Sequence, residues 1–179
     1  MIGHIVDALL FFAPAGIANS VPVFANKIPI LNRWTTPIDF GKSLFGHRIL
    51  GDNKTWRGLV AGTLVGGLVA YIEALTVFKV DPGATYVLTL SFVAGILLGF
   101  GALFGDTVES FAKRQLGIAP GKSWFPFDQL DYIVGGLAVS FPFVHVALTQ
   151  YVWVFIVWFC MHLIASYIGY RLHLKDKPI

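Results

Sequence analysis

The sequence is poor in cysteine and in charged residues. Cys160 is the single cysteine among 179 residues and lies within an apolar run, which excludes a disulfide framework and a cysteine-based metal site. Charged residues make up only 13% of the chain and hydrophobic residues 56%, and the mean hydropathy is +0.71. This composition excludes an ordinary soluble domain. We therefore expect residues 1–179 to form a single membrane-embedded domain.

The small surplus of basic residues has two interpretations. A net charge of +3 and an isoelectric point near 9.1 are compatible with nucleic-acid binding. The lysines and arginines, however, lie in the polar segments between apolar runs, and membrane topology produces the same distribution. We therefore expect no nucleic-acid partner.

Several apolar runs are long enough to be membrane-spanning helices, each of which needs roughly 20 mainly apolar residues. They extend over about Ile5–Phe24, Gly58–Phe78, Thr85–Gly105, Tyr132–Leu148 and Tyr151–Tyr170. The third run has a more polar continuation towards Arg114, and only Thr149 and Gln150 separate the last two runs. The sequence therefore predicts an all-α bundle of five transmembrane helices that ends in a tight hairpin.

The distribution of basic residues predicts the orientation of this bundle. With five spans, segments 25–57 and 106–131 and the C-terminal tail share one side of the membrane, and every lysine and arginine except Lys79 lies on that side. Basic loops face the cytoplasm. We therefore expect a multi-pass protein of the cell membrane, with its N-terminus outside and its C-terminus and polar loops inside.

The stretch GDNKTWRG (51–58) introduces a turn just before the second apolar run. Lys54, Thr55 and Arg57 then lie at a helix N-terminus, where exposed N–H groups and nearby cations favour a phosphate group. The alternative is that Lys54 and Arg57 only anchor the helix at the lipid headgroups. Both interpretations stay open, and only phosphate binding would give these residues a role in a reaction.

A second polar group follows the third apolar run. If the helix continues there, Asp106, Glu109, Ser110 and Lys113 lie at positions i, i+3, i+4 and i+7, which is one helix face. A carboxylate at the end of an apolar membrane helix is costly unless it is paired or binds a cation. A Glu109–Lys113 pair would satisfy Glu109 without any ligand, but it leaves Asp106 unexplained.

Two aspartates, Asp128 and Asp131, precede the fourth apolar run. If a helix starts near Asp128, both carboxylates lie in its first turn, on roughly one face. Helix capping is the simpler interpretation, but one aspartate suffices for it. Two aspartates near Lys113, Arg114 and Lys122 instead indicate a divalent cation beside a polyphosphate. Hard oxygen ligands without nearby histidine or cysteine favour Mg²⁺ or Mn²⁺ over zinc.

Several polar residues lie inside apolar runs, among them Asn19 and His162. Asn19, between two prolines of the first run, either faces a polar interior or repairs local backbone hydrogen bonds. We interpret His162, in the last run, as a hydrogen-bonded packing residue and not as a ligand.

The spacing of the polar residues resembles a known family signature. The pattern Gly-Asp-x-x-x-Ser-x-x-Lys-Arg, followed by Asp-x-x-Asp just before an apolar run, is similar to that of the CDP-diacylglycerol synthase family. Its polar members here are Asp106, Ser110, Lys113, Arg114, Asp128 and Asp131. Three segments of the chain resemble the archaeal branch of that family, the CDP-archaeol synthases. They are ANSVPVF (18–24), PIDFGKSLFGHRILGDNKTWRG (37–58) and FPFDQLD (125–131). The Lys-Asp pair and His-Gly-Gly segment of the larger bacterial and eukaryotic enzymes are missing.

The resemblance implies a Mg²⁺-dependent cytidylyltransferase of membrane lipid biosynthesis. It would transfer the CMP moiety of CTP to 2,3-bis-(O-geranylgeranyl)-sn-glycerol 1-phosphate, giving unsaturated CDP-archaeol and pyrophosphate. With this resemblance we assign Mg²⁺ to Asp106, Asp128 and Asp131, with Lys113 as a further catalytic residue. The substrate-binding residues would be Asp52, Asn53, Lys54, Thr55, Arg57, Ser110, Arg114 and Lys122. The expected partners are CTP, the isoprenoid ether-lipid phosphate and membrane lipids, and the question of a homodimer stays open.

Two other functions stay open at this point. A CTP-dependent polyprenol kinase would also join CTP to a membrane isoprenoid, but it would transfer the γ-phosphate and release CDP. A small membrane transporter that is not an enzyme would place polar residues along the axis of its helix bundle. The third, fourth and fifth apolar runs lack such a row, which makes the transporter the weaker alternative.

Overall fold

The protein is a bundle of helices. The computed structural model describes residues 2–80 and 91–172, with the side chains of residues 77–80 excepted. The helices are α1 (Ile2–Ala25), α2 (Trp56–Val80), α3 (Phe92–Gln115), α4 (Phe127–Ser140) and α5 (Leu148–Arg171). Between α1 and α2 lie a 3₁₀ turn (Leu31–Arg33) and an antiparallel hairpin of β1 (Ser43–Leu44) and β2 (His47–Arg48). The predicted helical architecture is therefore confirmed.

Within residues 2–80 and 91–172, four helices, α1, α2, α3 and α5, are long and apolar enough to cross a membrane. A helix of 24 residues such as α1 is about 36 Å long, which exceeds the roughly 30 Å of the hydrocarbon core. Helix α4 has 14 residues, or about 21 Å, and is too short to cross by itself. The side chain of Lys79, together with Lys175 and Lys177, lies outside the described residues. Five spans and the predicted orientation both stay predictions.

The predicted bounds of the fourth span, Tyr132–Leu148, are wrong. Helix α4 begins earlier, at Phe127, and ends at Ser140. The end has a local cause: Phe141 still has helical backbone, but Pro142 after it has no N–H to continue the helical hydrogen bonds. The N–H of Val144 instead donates a hydrogen bond to the Ser140 carbonyl, at 2.8 Å.

The predicted two-residue hairpin between the last two spans is also wrong. Thr149 and Gln150 lie inside the first turn of α5, and residues 141–147 form the connection instead. An apolar run therefore continues across a turn here, and hydropathy alone cannot reveal the break.

Helix α3 extends well past the apolar run that predicted it. It begins at Phe92, where the hydroxyl of Ser91 caps it by accepting a hydrogen bond from the Ala94 N–H at 3.1 Å. The predicted start at Thr85 lies outside the described residues. The polar continuation towards Arg114 is confirmed, because the helix ends only at Gln115.

Helix α1 is the central element, since it packs against each of the other four helices. Its Phe11 and Phe12 are completely buried. The ring of Phe12 lies 5.6 Å from that of Trp158 on α5, whose indole N–H donates to the Ala8 carbonyl at 3.0 Å. The apolar core thus lies around α1, and the outer faces of the bundle are apolar and exposed, as expected for helices in lipid.

Glycines let the helix backbones approach closely. A Cβ added to Gly66 of α2 would lie 2.8 Å from the Gly95 carbonyl oxygen of α3, and one added to Gly101 of α3 would lie 2.9 Å from the Cα of Gly136 on α4. Real side chains do not tolerate such distances, so only glycine fits. The Gly62/Gly66 and Gly95/Gly99 spacings predict close packing within the bundle, and the approach of Gly66 to Gly95 and Gly99 confirms this packing.

Candidate active site

A cavity of about 800 Å³ lies at the end of the bundle where α3 ends and α4 begins. The segment before α2, the last turns of α3, the first turns of α4, and single faces of α1 and α5 surround it. Its lining is mostly polar or charged and comprises Asn19, Leu50, Gly51, Asp52, Asn53, Lys54, Asp106, Glu109, Ser110, Lys113, Arg114, Pro120, Gly121, Lys122, Ser123, Asp128, Gln129, Asp131, His162 and Ser166. All of the site residues predicted from the sequence except Thr55 and Arg57 lie in this lining.

Three carboxylates meet at the floor of the cavity. Asp106 and Glu109 of α3 and Asp131 of α4 each offer one oxygen atom, and these atoms lie within 4.8 Å of one another. Glu109 is buried and the other two are half-buried. Burial raises the pKa of Asp131, and the neighbouring Asp106 carboxylate raises it further. We call Asp106, Glu109 and Asp131 the three-carboxylate group.

The three-carboxylate group fits a divalent cation. Carboxylates this close repel one another, and a bound cation or a proton relieves the repulsion. Three hard oxygen donors, with neither sulfur nor imidazole among them, match the ligand preference of Mg²⁺ or Mn²⁺. The arrangement shares Asp106 and Asp131 with the set predicted from the sequence, but Glu109 takes the place expected for Asp128.

A close contact between α3 and α4 brings the carboxylates together. Gly105 directly precedes Asp106, and a Cβ on Gly105 would lie 2.9 Å from the carbonyl carbon of Asp131 and 3.0 Å from the Cα of Gly135. The backbone of α3 therefore lies directly against the backbone of α4 at the level of the two aspartates. The glycine is what allows carboxylates 25 positions apart in the sequence to lie within 4.8 Å of each other.

Asp128 lies beside the three-carboxylate group and is bound differently. One of its carboxylate oxygens accepts a hydrogen bond from the Lys113 ammonium, and the other accepts one from the Trp124 N–H at 2.5 Å. Lys113 also forms an ion pair with Glu109 at 3.0 Å, as the i, i+4 spacing predicted. Asp128 lies in the first turn of α4, as predicted, whereas Asp131 lies one turn further on. Lys113 thus links Asp128 to the three-carboxylate group.

Lys54 connects the segment before α2 to the same group. Its ammonium donates to a carboxylate oxygen of Asp106 at 2.5 Å. The two residues are 52 positions apart. We call residues 51–54 (Gly-Asp-Asn-Lys) the GDNK turn. All four residues line the cavity and form one of its walls.

Two further cations line the cavity with their donors available. Arg114 lies on the last turn of α3, and among the described residues its Nε and Nη1 atoms have no hydrogen-bond partner. Lys122 is exposed in the connection between α3 and α4. A guanidinium with unused donors beside an ammonium is suited to binding phosphate oxygens.

A buried aspartate outside the cavity holds the GDNK turn in place. The carboxylate of Asp39 accepts hydrogen bonds from the N–H groups of Gly41, Leu50 and Gly51, at 2.9–3.1 Å, and from the Arg48 guanidinium at 3.0 Å. Burial alone would raise the pKa of Asp39, but these donors outweigh it and hold that pKa well below its ordinary range. We call this arrangement the Asp39 clamp. It fixes residues 50 and 51, which directly precede Asp52.

Thr55 and Arg57 lie outside the large cavity and have structural partners. The hydroxyl of Thr55 accepts a hydrogen bond from the Gly58 N–H at 3.2 Å, which satisfies a free donor at the start of α2. The buried Arg57 donates to the Leu31 carbonyl and to the side chain of Asn26, both at 3.2 Å. Their assigned role in substrate binding stays a prediction, because the structure places neither of them beside the three-carboxylate group.

Sequence reasoning missed several residues of the lining. Glu109 was explained by its pair with Lys113, although its position on the same helix face as Asp106 was the available signal. His162 and Ser166 are an i, i+4 pair on α5, and both line the cavity although His162 was interpreted as a packing residue. The ring of His162 lies 5.7 Å from that of Tyr132. Asn19 also lines the cavity, which favours the polar interior over local repair.

Comparison with known proteins gives a consistent result. The family model of the CarS-like CDP-archaeol synthases matches residues 1–179. The CDP-archaeol synthase of Methanococcus aeolicus is 33% identical over 178 residues, covering 96% of this chain and 95% of that one. The CDP-archaeol synthase of Pyrococcus furiosus is 33% identical over 175 residues, covering 97% and 98%.

A solved structure shares the fold as well. It is that of an intramembrane enzyme for archaeal membrane lipids biosynthesis, with a TM-score of 0.72 and 33% sequence identity, and the match covers 90% of this chain and 94% of that chain. The similarity in fold therefore extends over most of the chain. The chain belongs to the CDP-archaeol synthase family.

Proposed function

We propose that this chain, acting as one catalytic domain over residues 1–179, transfers the CMP moiety of CTP to 2,3-bis-(O-geranylgeranyl)-sn-glycerol 1-phosphate and releases pyrophosphate. Family membership supports CDP-archaeol formation. The observation that carries the site assignment is the three-carboxylate group, which lies among cations in a cavity at one end of a membrane bundle. Both substrates are anions, so a site of this charge pattern suits them.

Mg²⁺ is the proposed cofactor. Asp106, Glu109 and Asp131 would hold it, and when bound it would neutralise negative charge on the phosphates of CTP. Asp128 is proposed as a positioning residue that orients Lys113. The metal-ligand role that the sequence suggested for Asp128 stays a prediction.

The basic residues are proposed to bind and orient the triphosphate. Arg114 and Lys122 would bind the phosphates that leave, and Lys113 would lie between them and the three-carboxylate group. Lys54 is proposed to contact phosphate from the opposite wall, with Asp52 and Asn53 next to the nucleotide. Ser110, on the same face of α3, would donate a hydrogen bond to a phosphate oxygen. Thr55 and Arg57 remain in the proposal only as supports of this wall.

The reaction needs positioning more than covalent chemistry. An oxygen of the lipid phosphate attacks the α-phosphorus of CTP, and the bond from that phosphorus to the bridging oxygen of the β-phosphate breaks. Pyrophosphate leaves with the electron pair. Holding the two anions in line and stabilising the developing charge would supply most of the rate enhancement. No nucleophilic side chain is required.

We propose that the cavity opens on the cytoplasmic side of the membrane. The support is the distribution of basic residues, which concentrate in the segments around the cavity. CTP is soluble and charged and cannot cross the bilayer, so a cytoplasmic opening also gives it direct access. Accessibility of a cysteine at position 122 to a membrane-impermeant reagent in oriented vesicles would test this side assignment.

The test of the reaction follows the fate of two labelled phosphates. Purified protein in detergent micelles is given Mg²⁺, the lipid phosphate, and CTP labelled at either the α- or the γ-phosphorus. The proposal predicts that the α-label enters the lipid and the γ-label appears in pyrophosphate. Transfer of the γ-label to a lipid, with release of CDP, would instead identify a kinase. The Asp131→Asn variant serves as the control for contaminating enzymes.

A further inference from the structure

The connection between α1 and α2 carries exposed apolar side chains that the proposed function does not use. We call residues 26–50 the interfacial segment, and its exposed apolar members are Ile28, Ile30, Trp34, Phe40, Leu44 and Phe45. Exposed apolar side chains on a membrane-spanning helix face lipid, but this segment lies outside the spanning helices. Its apolar surface therefore needs another explanation.

The two phenylalanines have backbone conformations that are unfavourable for them. Phe45 and Gly46 form the turn of the β1–β2 hairpin with φ of 50° and 83°, and Phe40 has a φ of 49°. Tight hairpin turns of this kind favour asparagine or aspartate before the glycine, and a bulky residue with positive φ is strained. Phe45 is 88% exposed and Phe40 65%, so little packing within the chain offsets the strain.

Two contacts fix the level of the interfacial segment relative to the bundle. The ring of Phe40 lies 6.3 Å from that of Trp56, which is the first residue of α2. The side chain of Gln115, the last residue of α3, donates to the Arg48 carbonyl at 3.4 Å. The start of α2 lies where the hydrocarbon core meets the headgroups, whereas Gln115 ends the polar continuation of α3 beyond that boundary. Phe40 therefore lies near the level of the membrane surface, and the hairpin begins three residues after it.

The exposed charges of the interfacial segment are positive. Between residues 26 and 50, all of which the structure describes, the lysines and arginines in the exposed class are Lys27, Arg33 and Lys42. The one acidic residue, Asp39, is buried and paired with Arg48. Exposed aromatic rings interspersed with cations are typical of segments that lie on an anionic lipid surface.

We propose that the interfacial segment lies on the anionic lipid surface, with the rings of Phe40 and Phe45 inserted between lipid headgroups and Lys27, Arg33 and Lys42 against lipid phosphates. This inference does not depend on the reaction catalysed. It gives the strained phenylalanines a function, because a ring displayed from a tight turn can enter the bilayer while the backbone stays at its surface. The Asp39 clamp connects this segment to the GDNK turn, so the lipid surface would also support one wall of the cavity.

The experiment measures the depth of single labels. Cys160 is replaced by alanine, and an environment-sensitive fluorophore is attached to Phe45→Cys and, separately, to Phe40→Cys. The matched control is Ala119→Cys, which is exposed in the connection between α3 and α4, directly before a residue of the cavity lining. Each labelled protein is placed in lipid nanodiscs of phosphatidylglycerol, with one protomer per disc, and the fluorescence is quenched with aqueous iodide.

We expect a blue-shifted emission and several-fold weaker iodide quenching at positions 45 and 40 than at 119. In discs of neutral phosphatidylcholine the protection should decrease, and salt should weaken it in the anionic discs. Equal quenching at all three positions would overturn the proposal. Protection that appears only when a disc contains two protomers would also overturn it, since a second copy would then cover the surface. Protection of the same strength in neutral lipid would contradict the role given to the three cations.

Discussion

Two buried carboxylate sites in this chain are built in opposite ways. In the Asp39 clamp every neighbour donates a hydrogen to the carboxylate: three backbone N–H groups and the Arg48 guanidinium. The charge is fully compensated within the chain, and the pKa of Asp39 is held low despite its burial. Such a site is complete as it stands and needs no ligand.

The three-carboxylate group is the incomplete counterpart. Asp106, Glu109 and Asp131 face one another within 4.8 Å, and two lysines, Lys54 and Lys113, compensate only part of the charge. Like charges at this separation repel one another, and the α3–α4 backbone contact holds them together despite that repulsion. The comparison shows that burial of a carboxylate alone says little about function. What distinguishes the two sites is whether the chain itself supplies the compensating donors.

The largest expected effect comes from removing one member of the incomplete site. Asp131→Asn should lower turnover by roughly 10³-fold, because the variant loses a cation ligand and the charge stabilisation that goes with it. Without divalent cations the same variant should unfold at a higher temperature than the wild type, because one of the repelling charges is gone. Turnover with CTP and thermal unfolding in micelles measure both effects.

The control for this variant is Asp7→Asn, which changes an aspartate of α1 outside the cavity and should affect neither quantity. Near-normal turnover of Asp131→Asn would remove the metal assignment.

The next largest effect comes from separating the two helices that carry the carboxylates. Gly105→Ala places a Cβ against the Asp131 backbone, and a displacement of about 1 Å in a catalytic arrangement can cost roughly 100-fold in rate. We therefore expect turnover to fall by about that factor with little change in CTP affinity. Gly3→Ala of α1 is the matched control, since a Cβ at Gly3 has no neighbour within 4 Å. Equal activity of the two variants would show that the close contact does not set the geometry of the site.

A smaller effect is expected at the cavity wall. Arg114→Ala removes donors that have no partner among the described residues, so the loss should appear in substrate binding. A charged hydrogen bond contributes about 2 kcal/mol, which corresponds to a rise of roughly 30-fold in the KM for CTP. The KM for the lipid phosphate should stay within a factor of about two. Arg171→Ala at the exposed end of α5 is the control, and a rise in the lipid KM alone would reverse the assigned role.

The smallest effect on catalysis is expected at the complete site. Asp39→Asn should lower the free energy of unfolding by about 2 kcal/mol, because the N–H groups of the clamp lose their charged acceptor. The folded-state pKa of Asp39 lies below its ordinary value of 3.8, so its contribution is fully present above about pH 4 and is lost as the pH falls below that. The stability difference between variant and wild type should therefore shrink in acid, as measured by thermal unfolding between pH 7 and about pH 3. A difference that is constant with pH would mean that the carboxylate charge is not what holds the GDNK turn.

Much of the helical architecture could be predicted from hydropathy, and the exceptions have identifiable causes. Helices α1, α2 and α5 lie within a few residues of their predicted bounds because long apolar runs have no stable alternative in a membrane. The end of α4 was missed because the run from Tyr132 to Leu148 stays apolar through the turn at Pro142. In lipid-exposed sequence a turn does not need to be polar, so only the proline marked it.

The residues of the candidate site could largely be predicted from the sequence, but which carboxylates lie together could not. The spacing on α3, the Asp-x-x-Asp motif and the stretch 51–58 together identified most of the charged lining, but they did not identify Gln129, His162 or Ser166. Which carboxylates share a cation depends on the approach of α3 to α4 at Gly105, and whether Asp128 is available depends on the position of Lys113. The donors of the Asp39 clamp are backbone N–H groups, which every residue but proline carries, so no side-chain pattern could reveal them.

The most direct test of the central claim is the effect of Mg²⁺ on thermal unfolding of the wild type and of Asp131→Asn in micelles. A ligand that binds only the folded state stabilises it by about 2.7 kcal/mol at 100 times its Kd. We predict that Mg²⁺ raises the unfolding temperature of the wild type and leaves that of Asp131→Asn nearly unchanged, although the variant is the more stable protein without metal. An equal shift in both proteins, or none in the wild type, would contradict the claim that the three-carboxylate group is completed by a divalent cation.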